Sequence, residues 1–270
     1  MERTATADIT ASSSPSGTTF SELSDVPGLL DGMPAQRGSG AAAAALAAPV
    51  PLVPAVPEVS RLRAVRPWLL LPTPTGTPFT FGYAAVLAVT SLFEQYASPS
   101  LVDALQQASS TDVAHLVRAP LLVLPASALW IVGGLTSSYA MLFLLVLTAL
   151  ERRTGGARAA GIFLLGHVLA TLLTEVPVGI AVLVGHLPRT SLHRLDYGIS
   201  FGVAASVGAL AGLLRPWLRW PLLVLFGGML VEDLIEFTDP MTNYGHLIAL
   251  TIGIATWPLT RRWYRARVPA

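Results

Sequence analysis

The sequence predicts an all-α, polytopic membrane protein, and three observations carry that prediction. Of 270 residues, 53% are hydrophobic and 12% charged, with mean hydropathy +0.60. That is too apolar for an ordinary soluble domain and too evenly apolar for a single anchor. Apolar runs of span length begin at Phe79 and recur almost to the C-terminus. Arginines then mark alternate loops: Arg61, Arg63 and Arg66; Arg152, Arg153 and Arg158; Arg215 and Arg219; Arg261, Arg262, Arg265 and Arg267. The intervening loops carry only Arg118, Arg189 and Arg194. Twelve against three is a positive-inside signature of six spans with both termini cytoplasmic, and the expected location is the plasma membrane.

Each element is set by its local composition. Residues 1–65 are rich in Ser, Thr, Pro, Ala and Gly without a sustained period. Such a segment buries too little apolar surface to offset its ordering entropy, so a disordered cytoplasmic tail is expected. No cleavable signal sequence is expected at the polar start; the alanine run 41–48 would mimic one only if translation began at Met33. Membrane helices are expected near 78–97, 133–150, 159–185, 197–214, 218–237 and 243–260. The stretch 120–133 is also apolar, but Pro120 and Pro125 interrupt it, and it reads as a helix-rich loop lying in the interface. The membrane domain thus covers 66–262, and 263–270 forms a cytoplasmic tail.

Composition also excludes chemistry. There is no cysteine, so disulfides, thiolate nucleophiles and Cys-ligated metals are out. All 17 basic residues are arginine, which with the abundant alanine suggests a GC-rich bacterial genome. A net charge of +1 with dispersed basic residues gives no stripe for nucleic acid.

Two polar residues inside apolar helices stand out. Ser200 lies 15 residues before Arg215, and His246 lies 15 residues before Arg261. The fourth and sixth helices run in the same direction. At about 1.5 Å per residue both side chains sit about 22 Å from the cytoplasmic face, in a core about 30 Å thick. Gly198, Gly202, Gly208 and Gly212 on one helix, and Gly245, Ala249 and Gly253 on the other, are spaced to let backbones approach closely. Close approach would bring hydroxyl and imidazole together as nucleophile and general base. A membrane serine alone usually bonds a carbonyl one turn back; a membrane histidine is costly and therefore informative.

Other polar groups have competing readings. His167 and Glu175, eight apart on the third helix, are read first as structural groups that need partners in the bundle, and second as cavity-lining. Glu232, Asp233 and Glu236 read as a wetted outer end of the fifth helix. Asp196 is expected to cap the fourth helix, with orientation of His246 as the alternative. Asn243, the single asparagine, is either a cap of the sixth helix or a polar contributor to the cavity.

These residues carry a family resemblance. Gly198-Ile199-Ser200 followed by Gly208, with His246-Leu247-Ile248-Ala249-Leu250-Thr251-Ile252-Gly253 downstream, resembles the paired motifs of rhomboid intramembrane serine proteases. Glu151-Arg152-Arg153-Thr154-Gly155 is similar to the segment after that family's second helix, and Asp196 through Gly202 and Gly245 through Ala249 look like an actinobacterial rhomboid-like branch. The resemblance covers about 80–260. It implies a six-helix rhomboid-like bundle, Ser200 as nucleophile, His246 as general base, no metal or organic cofactor, and partners limited to the lipid bilayer and a transmembrane protein substrate. Three positions depart from the family pattern. Phe201 replaces the usual glycine after the serine, Ala204 leaves empty the place of an aromatic residue that stacks on the histidine, and 119–165 lacks the His-xxx-Asn pair that helps bind the oxyanion. Ser137 and Ser138, 15 and 14 residues before Arg152, are the expected substitutes by depth, with backbone N–H groups around Ser200, Gly198 included, as the main hole. The missing pair makes a non-cleaving relative that binds a transmembrane client the alternative. A small proton-coupled transporter using His167, Glu175 and the fifth-helix carboxylates is a third reading.

Overall fold

The computed structural model describes residues 71–267, and every regular element among them is helical. The expected tail over 1–65, and Arg61, Arg63 and Arg66 with it, lie outside the described residues. In chain order the elements are α1 (Pro78–Tyr96), α2 (Pro99–Ala108), α3 (Val113–Arg118), α4 (Pro120–Ser127) and α5 (Ser138–Leu142). A π-helical turn (Phe143–Leu147) leads directly into α6 (Thr148–Thr154). After it come α7 (Gly156–Leu183), a 3₁₀ turn (Arg189–His193), α8 (Ser200–Ala211), α9 (Pro216–Glu236), α10 (Pro240–Ala255) and α11 (Trp257–Arg265).

Each stretch expected to be a long helix contains helix, the second and sixth in more than one piece, and α2 to α4 form the helix-rich connection before the second of them. Boundaries shift where proline and caps act. Proline opens α1, α9 and α10 at the first turn, where its missing N–H costs nothing. The fourth helix starts at Ser200 rather than 197, and Ser137 rather than residue 133 caps the second. Among the described residues only α7, with 28 residues, is by itself long and apolar enough to cross a membrane. The others fall short for visible reasons. The path from α5 to α6 is divided by the π turn, α8 and α10 have 12 and 16 residues, and α9 carries Arg219, Glu232, Asp233 and Glu236.

The core is organised around α8, of which every residue but Ser200 is buried. Its composition of Ala, Gly, Ser and Val keeps it thin enough to be enclosed by α7 on one side and α10 on the other. A methyl group at Gly166 of α7 would overlap the Ala205 side chain; one at Gly253 of α10 would overlap the Ala205 carbonyl. One at Gly208 would run into the backbone of Leu250 and Gly253. These are close approaches that only small residues allow, and in lipid they supply packing where hydrophobicity does not.

Buried polar groups tie the surrounding helices to this core. Glu151, 2% exposed in the first turn of α6, accepts from the amides of Phe79 (3.0 Å) and Thr80 (2.7 Å) and from the Thr80 hydroxyl (2.6 Å). It therefore satisfies first-turn donors of α1 from another helix, since α1 has no side-chain cap of its own. At the far end of α8, Arg219 donates to the carbonyls of Ala211 (2.9 Å) and Leu214 (2.8 Å), and Arg261 to that of Gly212 (3.0 Å). Both guanidinium groups lie 5.1 Å from the ring of Trp257, whose indole N–H donates to the Gly208 carbonyl at 2.8 Å. Two cations thus meet the negative end of α8 and share one indole.

Candidate active site between α8 and α10

Glycine contacts fix how α8 and α10 run. Residue 201 lies level with 245–246, residue 205 with 253, residue 208 with 250–254, and residue 212 with 257. The two helices are therefore parallel and nearly in register. A methyl group at Gly245 would strike the ring of Phe201 and approach Thr174 of α7. Ser200, at the first turn of α8, thus belongs to the same layer as His246.

His246 is 5% exposed, and neither ring nitrogen has a protein hydrogen-bond partner among the described residues. Ser200 and His246 are consequently not hydrogen-bonded to each other in this structure. The imidazole is held by aromatic rings instead. Tyr139 of α5 stacks on it at 5.2 Å with a 23° interplanar angle, and Phe201 meets it edge-on at 5.3 Å and 76°. The imidazole is therefore stacked although residue 204 is alanine: the aromatic partner comes from a different helix. The Tyr139 hydroxyl is itself buried and without a protein partner among the described residues. Sequence reasoning missed this residue, because nothing local distinguishes it from the apolar residues around it.

Donors near Ser200 divide into used and free. The Gly198 amide, at φ +120°, donates to the Ser127 carbonyl (2.9 Å) and the Ile199 amide to that of Trp130 (3.2 Å). Gly198 is thus a structural strut, where L side chains are strained, rather than a member of an anion hole. The first turn of α8 has no side-chain cap, which leaves its own amides as the donors facing Ser200. Ser137 uses its oxygen to cap α5, accepting from the Ala140 amide at 3.2 Å, and Ser138 is exposed.

The remaining sequence-selected residues have partners. Asp196 does not cap α8. Its carboxylate accepts from the Thr111 hydroxyl (3.1 Å), its carbonyl from the Thr111 amide (2.8 Å), and its amide donates to the Ser110 hydroxyl (3.1 Å). It anchors the connection between α2 and α3 to the entry of α8. Burial raises its carboxyl above the ordinary aspartate range, against the opposing pull of Arg194 and of the Thr111 hydrogen bond. Asn243 is not the cap of α10 either; Asp239 takes that role by accepting from the Thr242 amide. The Asn243 amide donates to the Asp233 carbonyl at 2.7 Å and so pins α10 to α9.

His167 bridges to α4 through the Ser127 hydroxyl and the Leu124 carbonyl, both at 3.0 Å. Glu175 is paired with Arg194, which also donates to the Thr242 hydroxyl at 3.0 Å and lies 3.4 Å from Asp239. Glu232 and Glu236 are exposed. Among the described residues no group of three or more His, Cys, Asp or Glu side chains is arranged to hold a metal ion.

The chain that forms this frame, with small-residue α8 against histidine-bearing α10, is matched by a family model described as "Rhomboid-like protein" over residues 75–266. The chain belongs to the rhomboid-like protein family. No curated protein and no solved structure matches it. The match covers nearly every described residue and makes the chain a rhomboid-type helical membrane protein. Ser200 and His246 fall on adjacent parallel helices, Tyr139 stacks on His246, and no histidine or asparagine stands on α4 to the start of α7 before His167.

Proposed function

We propose that this rhomboid-like protein is an intramembrane serine protease that cleaves a membrane-anchored protein, with Ser200 as nucleophile and His246 as general base. One observation carries the reading. His246 is buried with both ring nitrogens unspent, level with the serine, and an imidazole in that state is costly unless a reaction uses it. Hydrogen bonds of a catalytic pair often tighten only when substrate binds. The imidazole takes the Ser200 proton as Oγ attacks the scissile carbonyl, then returns that proton to the leaving amine. Water admitted from the outer side hydrolyses the acyl-enzyme with the same base. The developing oxyanion is met by first-turn amides of α8 and by the Tyr139 hydroxyl, which takes over from the family's second-helix pair. The setting is six spans, formed by α1, α5 to α6, α7, α8, α9 and α10, in a bacterial plasma membrane with both termini cytoplasmic.

A second reading, a relative that binds a transmembrane client without cutting it, is favoured by two observations. Residues 119–165 contain no His or Asn, and Phe201 packs on the imidazole. The transporter reading is weaker, because Glu175 is committed to Arg194 and His167 to α4. Labelling of the reconstituted full-length protein by a fluorophosphonate probe separates the first two. Labelling lost in both Ser200→Ala and His246→Ala supports the protease. An unlabelled native protein that still retains a transmembrane peptide supports the client-binding relative and overturns the protease.

A further inference from the structure

A cleft of about 550 Å³ opens between α3, the last turns of α7 and the 3₁₀ turn, away from Ser200 and His246. Its walls are apolar and include Ala114, Val117, Ile180 and Leu183, while Arg118 and His193 stand among them. That volume lies within the range of about 300–1,000 Å³ typical of small-molecule sites. No acidic side chain lines it. Arg118 forms no ion pair among the described residues. The acid nearest in sequence, Asp112, is spent on the His115 ring nitrogen (2.8 Å) and on capping α3. Of the wall residues Val117 and Leu183 are 80% and 86% exposed, and the apolar surface continues beyond the cleft to Leu121, which is 91% exposed. In a membrane protein such a surface suits hydrocarbon, and a cation beside an apolar slot complements a ligand that is anionic at one end and oily at the other.

We propose that this cleft holds one acyl chain of an anionic glycerophospholipid whose phosphate pairs with Arg118. The site is independent of whether Ser200 and His246 cleave anything. His193 supplies a second donor to the headgroup, and the chain lies along α7 between Ile180 and α3. The lipid thereby bridges the α2–α4 connection to α7, beside the Thr111–Asp196 bond that joins the same connection to the entry of α8.

The test is retention of lipid by the detergent-purified full-length protein, read by native mass spectrometry. Phosphatidylglycerol and phosphatidylcholine of identical acyl chains are compared. The expected result is about tenfold preference for phosphatidylglycerol, lost in Arg118→Gln, with retention of both lipids reduced in Ala114→Phe, which fills the slot. Equal retention of the two lipids, preference that survives Arg118→Gln, or full displacement by glycerol 3-phosphate would overturn the proposal. Should Ala114→Phe fail to fold, a photoactivatable p-benzoylphenylalanine at position 117 decides the occupant. An adduct of phospholipid mass supports the lipid. A crosslink to a second copy, or to residues 1–70 of the same chain, overturns it.

Discussion

The two ends of α8 are built to opposite rules. At its C-terminal end the carbonyls of Gly208, Ala211, Gly212 and Leu214 are met by Trp257, Arg219 and Arg261, and the two cations stack on one indole. At its N-terminal end there is no side-chain cap, and the neighbouring His246 and Tyr139 keep three polar atoms without a protein partner among the described residues. A buried hydrogen-bonding group left unpaired costs about 1–3 kcal/mol, so a helix saturated at one end and unsatisfied at the other marks where stability was given up. The contrast teaches that burial alone does not distinguish the ends. The distinction is whether the polar atoms are spent.

The largest effect should come from the unsatisfied end. Ser200→Ala is expected to abolish probe labelling and peptide cleavage, a loss of at least about 10³-fold. Its thermal midpoint should stay within a degree or two of the native value, because Ser200 is the one α8 residue outside the buried set. A parallel fall in stability would make the serine structural and erase the contrast.

Next in size is the contact that holds the layer together. Gly253→Ala places a methyl group on the Ala205 carbonyl, and backbone cannot give way as a flexible side chain would. Destabilisation of about 1–3 kcal/mol or more is expected in a detergent unfolding titration. Arg219→Gln probes the saturated end. It removes charge-assisted bonds to α8 carbonyls and one cation over Trp257, and should cost about 1–3 kcal/mol while leaving activity per folded molecule unchanged.

The sharpest discrimination, though the smallest structural change, is Tyr139→Phe. It keeps the ring stacked on His246 and deletes only an unpartnered hydroxyl, so stability should stay within about 0.5 kcal/mol or rise slightly. Turnover should fall about 10- to 100-fold with little change in KM, as for a donor used only in the transition state. Unchanged turnover would remove the hydroxyl from the oxyanion site and leave Tyr139 as a packing residue.

Much of the frame is legible in the sequence because it is written locally. Apolar runs set the helices, and equal spacing from two arginines places Ser200 and His246 in one layer. The errors concern partners far apart in sequence. Asp196 resembles a cap because it stands four residues before Ser200, but its hydrogen bonds go to Thr111 and Ser110, about 85 residues upstream. Asn243 resembles a cap because it stands at the expected start of the helix, although Asp239 directly before Pro240 is the stronger local signal, an acceptor followed by proline at the first helical position. Tyr139 and Arg194 carry no local mark at all. Their roles arise only when α5 meets α10 and when the 189–199 connection folds over α7.

The π turn at Phe143–Leu147 separates two tasks performed by one continuous stretch of chain. Above it Tyr139 faces the imidazole; below it Glu151 grips the start of α1. Each residue added to or removed from an α-helix rotates all downstream side chains by about 100°, so the wide winding acts as a phase key between the two halves. Rewinding it by deletion of a single residue would leave one half engaged and swing the other out of alignment, uncoupling the aromatic clamp from the anchor without altering either set of side chains.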